Sequence, residues 1–181
     1  MHKIPALLSL SAAALLSACA ATPPAPAFSQ DALPDAVKVP AGHRVVLETV
    51  GVGEITYECR AKAGDAAAFE WAFVGPRADL NSRSGQKLGS YYGPPATWAA
   101  NDGSRITGSQ VAVAPARPGS IPLQLVKANP ASGPGAMMGV SFVQRVATQG
   151  GVAPALPCDA ASAGRKEIVK YQADYIFWQP A

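Results

Sequence analysis

Three groups of residues in this chain have side chains that could do chemistry. Tyr91, Tyr92 and Trp98 fall in the stretch GSYYGPPATWAANDGSRITG, together with Asp102. Flat rings stack on the apolar faces of sugars, and a carboxylate at their edge bonds hydroxyls, so these four form the candidate ligand-binding set. The structural alternative has Trp98 plugging one end of the domain and Asp102 bonding its own turn. Aromatic rings contribute most when buried, and turn aspartates normally bond locally. The acids form the second group. Glu58, Glu70, Asp102 and Asp174 lie in or beside strand-like runs, and two carboxyls converging at a suitable separation could hydrolyse a glycosidic bond. Outward charges on strands are more often simply solvated. The third group is the cysteines Cys19, Cys59 and Cys158.

Other chemistries find little to use. Past the leader the single histidine is His43, so a Ser-His-Asp triad would have to employ it. Gly42-His43 opens a strand-like run, where a histidine serves as a cap or surface group, and no G-x-S-x-G elbow occurs. The spacings C-x-x-C and H-x-x-H are missing too, so neither a metal nor another cofactor is expected. Arg145 and Gln149 in SFVQRVATQGG could line a cleft or form a polar outer face. The expected function is therefore binding or scaffolding, with a glycan the first ligand to test. A glycan hydrolase using paired carboxylates is the alternative, and docking of another protein on an exposed sheet edge is a third possibility.

The elements that must position these groups begin with a leader. The chain opens MHKIPALLSLSAAALLSACAATPPAPAFS, with Lys3 as a positive n-region and a short apolar run from Ile4 to Leu16. Such a run is too short to span a bilayer and ends in small residues, the pattern of a secretory signal. Leu16-Ser17-Ala18-Cys19 resembles the lipobox of bacterial lipoproteins, which predicts a signal peptide over 1–18 and acylation of Cys19. Ordinary signal-peptidase cleavage after Ala20 is the alternative. Acyl chains each contribute about 0.8 kcal/mol per buried CH₂, so two or three would hold the domain lastingly on a membrane. Ala20 after the cysteine suits Gram-negative sorting to the outer membrane, so the expected place is the periplasm or cell surface, as an outer-membrane lipoprotein. Residues 19–38, rich in Pro and Ala, are expected to form an extended tether. In an oxidising compartment Cys59 and Cys158 are expected to pair, closing a loop of about a hundred residues. Metal ligation by the two would need more ligands.

The 181 residues carry a net charge of +3 without a basic stripe, so charge-driven recognition of nucleic acid is not expected. Its 17 prolines and 17 glycines argue for many turns and against a helical body. Period-two alternation, the mark of half-buried strands, recurs in HRVVLETV, EITYECR, FEWAFVG, QKLGSYY, SQVAVAP, PLQLVK, GVSFVQRVATQ and KYQADYIFW. Ile55, Tyr57 and Cys59 share one face; Phe69, Trp71 and Phe73 are expected to point inward, as are Tyr171, Ala173, Tyr175 and Phe177. Gly51-Val52-Gly53 reads as a hairpin turn, and Asn101-Asp102-Gly103 as another. Pro94-Pro95 cannot belong to a central strand, so 89–108 reads as strand, stiff loop, short strand, tight turn, strand. About nine or ten short, mostly antiparallel strands with little helix predict an all-β sandwich or barrel, a single domain over 39–181.

The blocks VPAGHRVVLETVGVGEITYECR, FEWAFVGPRADL, YYGPPATWAANDGSRITG, SIPLQLVKA, GVSFVQRVATQGGVAPALPCD and YQADYIFW stand in an order that resembles a secreted bacterial and fungal family, domain of unknown function 3455 (DUF3455). The resemblance runs from Val39 to Trp178. It implies a secreted single domain and brings no established activity, so no catalytic residue carries over from it. The partners expected are the membrane, through the lipid on Cys19, and a cell-envelope glycan or envelope protein.

Overall fold

The computed structural model describes residues 27–181; the predicted signal peptide, the acylation of Cys19 and the first part of the tether lie outside the described residues. Among the described residues eight strands follow one another: β1 (His43–Lys62), β2 (Asp65–Asn81), β3 (Lys87–Tyr92), β4 (Thr97–Ala100), β5 (Arg105–Ala114), β6 (Leu123–Ala128), β7 (Phe142–Gly150) and β8 (Lys166–Pro180). Each pairs antiparallel with its neighbour in sequence, and β1 pairs with β8 to close the sheet into an up-and-down barrel. The all-β expectation holds, and of its two forms the barrel is the one built.

There are eight strands instead of nine or ten because runs that read as separate strands are fused. Gly51-Val52-Gly53 is not a turn. It runs straight through β1, where Gly51 faces Leu80 of β2 and Ala173 of β8. A Cβ at Gly51 would sit 2.5 Å from the Tyr175 ring, so the missing side chain makes room for that ring inside the barrel. FEWAFVG and the run after it likewise merge into β2, and RITG with SQVAVAP into β5. The Asn101–Gly103 turn forms as expected between β4 and β5, with Gly103 N–H donating to the Ala100 carbonyl.

An eight-stranded barrel leaves an interior just wide enough for side chains to fill or for one small ligand. Here much of it is filled. Ile55, Tyr57 and Cys59 point inward from β1, and Tyr171, Ala173, Tyr175 and Phe177 from β8, all buried as the alternation predicts. Leu80, Trp98, Ile106 and Val143 pack among them. Met137, in the loop between β6 and β7, closes one end and is buried there. Phe73 keeps the inward face, opposite Tyr57, yet is 54% exposed. At that height β2 has run past its pairing with β3, which starts at Arg77, so the ring stands at the rim.

Residues 28–38, the latter part of the expected tether, lie against the outer wall instead. Val37 and Val39 are buried with Ala114, Leu125, Val146, Ile176 and Trp178 in a second apolar cluster, to which Phe28 and Leu33 are added. The cause is the end of β8: in YIFW alternate residues face the barrel, and the outward Ile176 and Trp178 need cover of their own. Gln144 ties this strap down. Its Nε2 donates to the Val37 carbonyl at 2.7 Å, and its Oε1 accepts from Trp178 Nε1 at 2.8 Å. Gln30 bonds both backbone groups of Val39, at 2.8 and 2.9 Å. Packing among the described residues thus begins near Phe28. Elsewhere the outer wall carries ion pairs such as Lys170–Glu54 at 2.9 Å beside exposed apolar side chains such as Val52, Val111 and Ile168.

The expected disulfide is present. Cys59 of β1 joins Cys158 in the loop between β7 and β8, across a sequence separation of 99.

Candidate functional site

The aromatic set does not make a surface platform. Tyr91 and Trp98 face one another across β3 and β4, and both point into the barrel, their rings stacked at 4.9 Å. Trp98 is 1% exposed and packs edge-on to Tyr175. Tyr92, one position along a pleated strand, necessarily points the other way, into solvent. The Trp98 indole is thus interior filling, and only Tyr91 of the three reaches a cavity that a ligand could enter from the rim, described below.

Asp102 bonds its own turn and one thing more. One carboxyl oxygen accepts from Ser104 N–H at 2.9 Å and Ser104 Oγ at 2.6 Å; the other accepts from Ala136 N–H at 2.7 Å. The Ser104 hydroxyl, then the Ala136 and Ser104 amides, hold this carboxyl below the usual aspartate range. Ser104 Oγ in turn accepts from Met137 N–H at 3.1 Å. Asp102 is the clamp that keeps the Met137 plug in the closed end of the barrel.

The other acids are engaged on the outer wall. Glu58 meets Arg60 at 2.9 Å, and Asp174 shares Arg83 with Glu48 at 3.0 and 3.1 Å. Glu70 is exposed, and none of the four candidate acids lines the open end of the barrel. His43 Nδ1 donates to the Pro40 carbonyl at 3.0 Å, and its ring sits edge-on to Phe142, a capping role at the start of β1. Gln149 borders a shallow outer hollow beside Pro34 and Arg117.

The end opposite the plug is open. A cavity of about 380 Å³ lies there, walled by residues of β1, β2, β3, β5, β6 and β7 and by the loops at Gly93–Ala96 and Ile121–Pro122. Ile55, Phe73, Pro76, Pro94 and Val126 make its wall mostly apolar. Its polar groups are Tyr57, Tyr91, Gln110, Gln124 and Arg145. Gln124 Nε2 donates to Gln110 Oε1 at 2.7 Å, and Tyr57 donates its hydroxyl to the Gly151 carbonyl at 2.8 Å. Deeper in the barrel the hydroxyls of Tyr171 and Tyr175 lie 3.2 Å apart.

Arg145 is placed by alternation along β7. Val143 faces the barrel while Gln144 and Val146 face the strap, so Arg145 returns to the inner side and lines the mouth. Its Nε and one terminal nitrogen both donate to the Pro122 carbonyl, at 3.2 and 3.0 Å. No carboxylate among the described residues lies within ion-pair distance of it. Burial pushes the phenols of Tyr57, Tyr91, Tyr171 and Tyr175 up, against the opposing pull of the Arg145 charge. They stay neutral at ordinary pH, so the mouth presents one fixed cation, neutral hydroxyls and amides, and apolar rings. Sequence reasoning left Arg145 between a cleft and a polar outer face and passed over Tyr57, Gln110 and Gln124. The parity of SFVQRVATQ marks Arg145 as inward, but nothing local tells that Gln110 and Gln124 end at the same rim.

The family model described as "Protein of unknown function (DUF3455)" matches residues 40–179 of the chain. No curated protein and no solved structure matches it.

Proposed function

The chain belongs to the DUF3455 family of proteins of unknown function, and we propose that it is an exported, lipid-anchored binding domain whose ligand enters the open end of the barrel. The observation behind this is the composition of the mouth, a cavity of about 380 Å³ where Arg145, Tyr57, Tyr91, Gln110 and Gln124 converge, whereas the hollow of about 300 Å³ at the other end lies over the Met137 plug and its Asp102 clamp. Small-molecule sites are concave and mostly apolar, with a few placed polar groups, and the mouth has that composition. A short glycan is the first ligand to try. Tyr57, Phe73 and Tyr91 would offer ring faces, and the amides of Gln110 and Gln124 would bond hydroxyls. Export and acylation rest on the leader and on Leu16-Ser17-Ala18-Cys19. No residue of the strap borders the mouth, so a tether running on to a membrane would leave the entrance free.

Ala96→Trp, at the rim, tests the site. Wild-type protein is expected to bind at least one member of a glycan panel by calorimetry, and the variant to lose that binding with its circular dichroism unchanged. Binding that survives the tryptophan would place the ligand elsewhere, and a panel with no binder would sink the glycan assignment. The anchor is tested by the mass of the mature N-terminus, where diacylated or triacylated Cys19 is expected and an unmodified Ala21 would overturn it.

A further inference from the structure

We infer that the mouth of the barrel recognises its ligand by a carboxylate carried on a small ring, held by Arg145. This rests on the mouth being the binding site and adds to it the chemical class of the ligand. Arg145 is the one charged group lining the cavity among the described residues, and it is half-buried there. Other cations near acids, such as Arg60, Arg83 and Lys170, meet them on the outer wall. A fixed cation at the mouth of a mostly apolar cavity, with no counter-ion of its own, attracts an anion from elsewhere.

The surroundings cannot supply that anion. The phenols facing Arg145 from β1, β3 and β8 are Tyr57, Tyr91, Tyr171 and Tyr175, and burial keeps all four neutral. The remaining polar groups, Gln110 and Gln124, are neutral amides joined by one hydrogen bond, which leaves the Gln110 Nε2 and Gln124 Oε1 ends for a ligand. The Pro122 carbonyl takes two of the guanidinium's five N–H donors and so fixes its plane without neutralising it. The free donors make a preset fork of the kind that a carboxylate fits with two parallel bonds.

The class of anion follows from the charge and the wall. A phosphate dianion would call for more positive charge than one guanidinium, and no second cation lines the mouth among the described residues. A monoanion matches it. Ile55, Phe73, Pro76 and Val126 provide flat or apolar surface for a ring, and the paired glutamines provide amides for its hydroxyls. A uronic-acid sugar and an aromatic carboxylate both satisfy these requirements.

Calorimetry on the mature chain separates the sources, with glucuronate, glucose, benzoate and inorganic phosphate as probes. Glucuronate or benzoate is expected to bind about tenfold or more tightly than glucose, in keeping with a charge-assisted pair. Arg145→Gln is expected to abolish that preference, and Arg145→Lys to recover part of it. If glucuronate leads, the ligand is an acidic sugar; if benzoate leads, an aromatic acid. Binding of both glucuronate and benzoate no tighter than that of glucose, or a preference that survives Arg145→Gln, would overturn the carboxylate assignment while the mouth remains the site. Phosphate binding more tightly than either acid would overturn it as well. Should Arg145→Gln not fold, the wild-type preference for the leading acid over glucose is measured against salt concentration. A preference that shrinks as salt rises supports the pair, and one that does not overturns it. Retained binding in Ala96→Trp would instead remove the mouth itself.

Discussion

At the residue scale the clearest division is between side chains that hold the barrel and those that face its opening. Asp102 shows the first kind. It is exposed, yet its carboxylate receives three hydrogen bonds and through them joins the β4–β5 turn to the plug loop. Its folded value lies below the ordinary 3.8, mainly through the Ser104 hydroxyl, so the group stabilises the fold above that value. The contribution disappears as the pH falls below 3.8 and passes through the folded value, when the carboxyl is protonated in both states. Asp102→Asn is therefore expected to lower the melting temperature near neutral pH and to melt like wild type in strong acid. Thermal melts of both proteins across the acid range check this, and a difference independent of pH would contradict it. Arg145 shows the second kind: its bonds to Pro122 orient it without neutralising it.

Among the elements, β8 and the strap carry the lesson. Period two along KYQADYIFW puts Tyr171, Ala173, Tyr175 and Phe177 inside, as the sequence predicts. The same run leaves Ile176 and Trp178 on the outside, where the strap from Phe28 to Val39 covers them. The run of four apolar residues YIFW, which breaks the alternation, was the local sign that both faces are buried at this point. No local sign says which segment does the covering. Gln144 is the joint between the two, and in Gln144→Leu the Trp178 indole N–H and the Val37 carbonyl lose their partner in a buried place. A loss of about 2–3 kcal/mol in urea unfolding is expected, the cost of stranding buried polar groups. A loss within experimental error would mean that the strap adds little to stability. The glycine pair in β1 teaches the converse. Gly51-Val52-Gly53 has turn chemistry, but pairing on both sides keeps it extended and uses Gly51 as space for Tyr175.

At the scale of the whole molecule, closure of β1 against β8 and the Cys59–Cys158 bridge join distant parts of the chain. Cys59 lies two positions beyond Tyr57, whose hydroxyl pins Gly151 at the rim. The bridge therefore braces the loop that leaves β7 at the mouth. Removing it with paired Cys59→Ala and Cys158→Ala substitutions is expected to cost about 4–5 kcal/mol, the loop-closure entropy of a loop near a hundred residues. Denaturant unfolding measures that loss, and a change below about 1 kcal/mol would show that the unfolded chain is not much constrained by the bridge.

Secondary-structure type, the inward faces of β1 and β8, the turn at Asn101–Gly103 and the pairing of the two cysteines were all determined by the sequence alone. Each depends on neighbours a few positions away, or on there being just two cysteines besides Cys19. The tertiary structure decided that the sheet closes, that β1 is one strand, that Trp98 is interior and that the strap is part of the domain. It also decided which polar residues meet Arg145. Those outcomes depend on register between strands far apart in the chain, and a period of two tells which side a residue faces but not what it will find there.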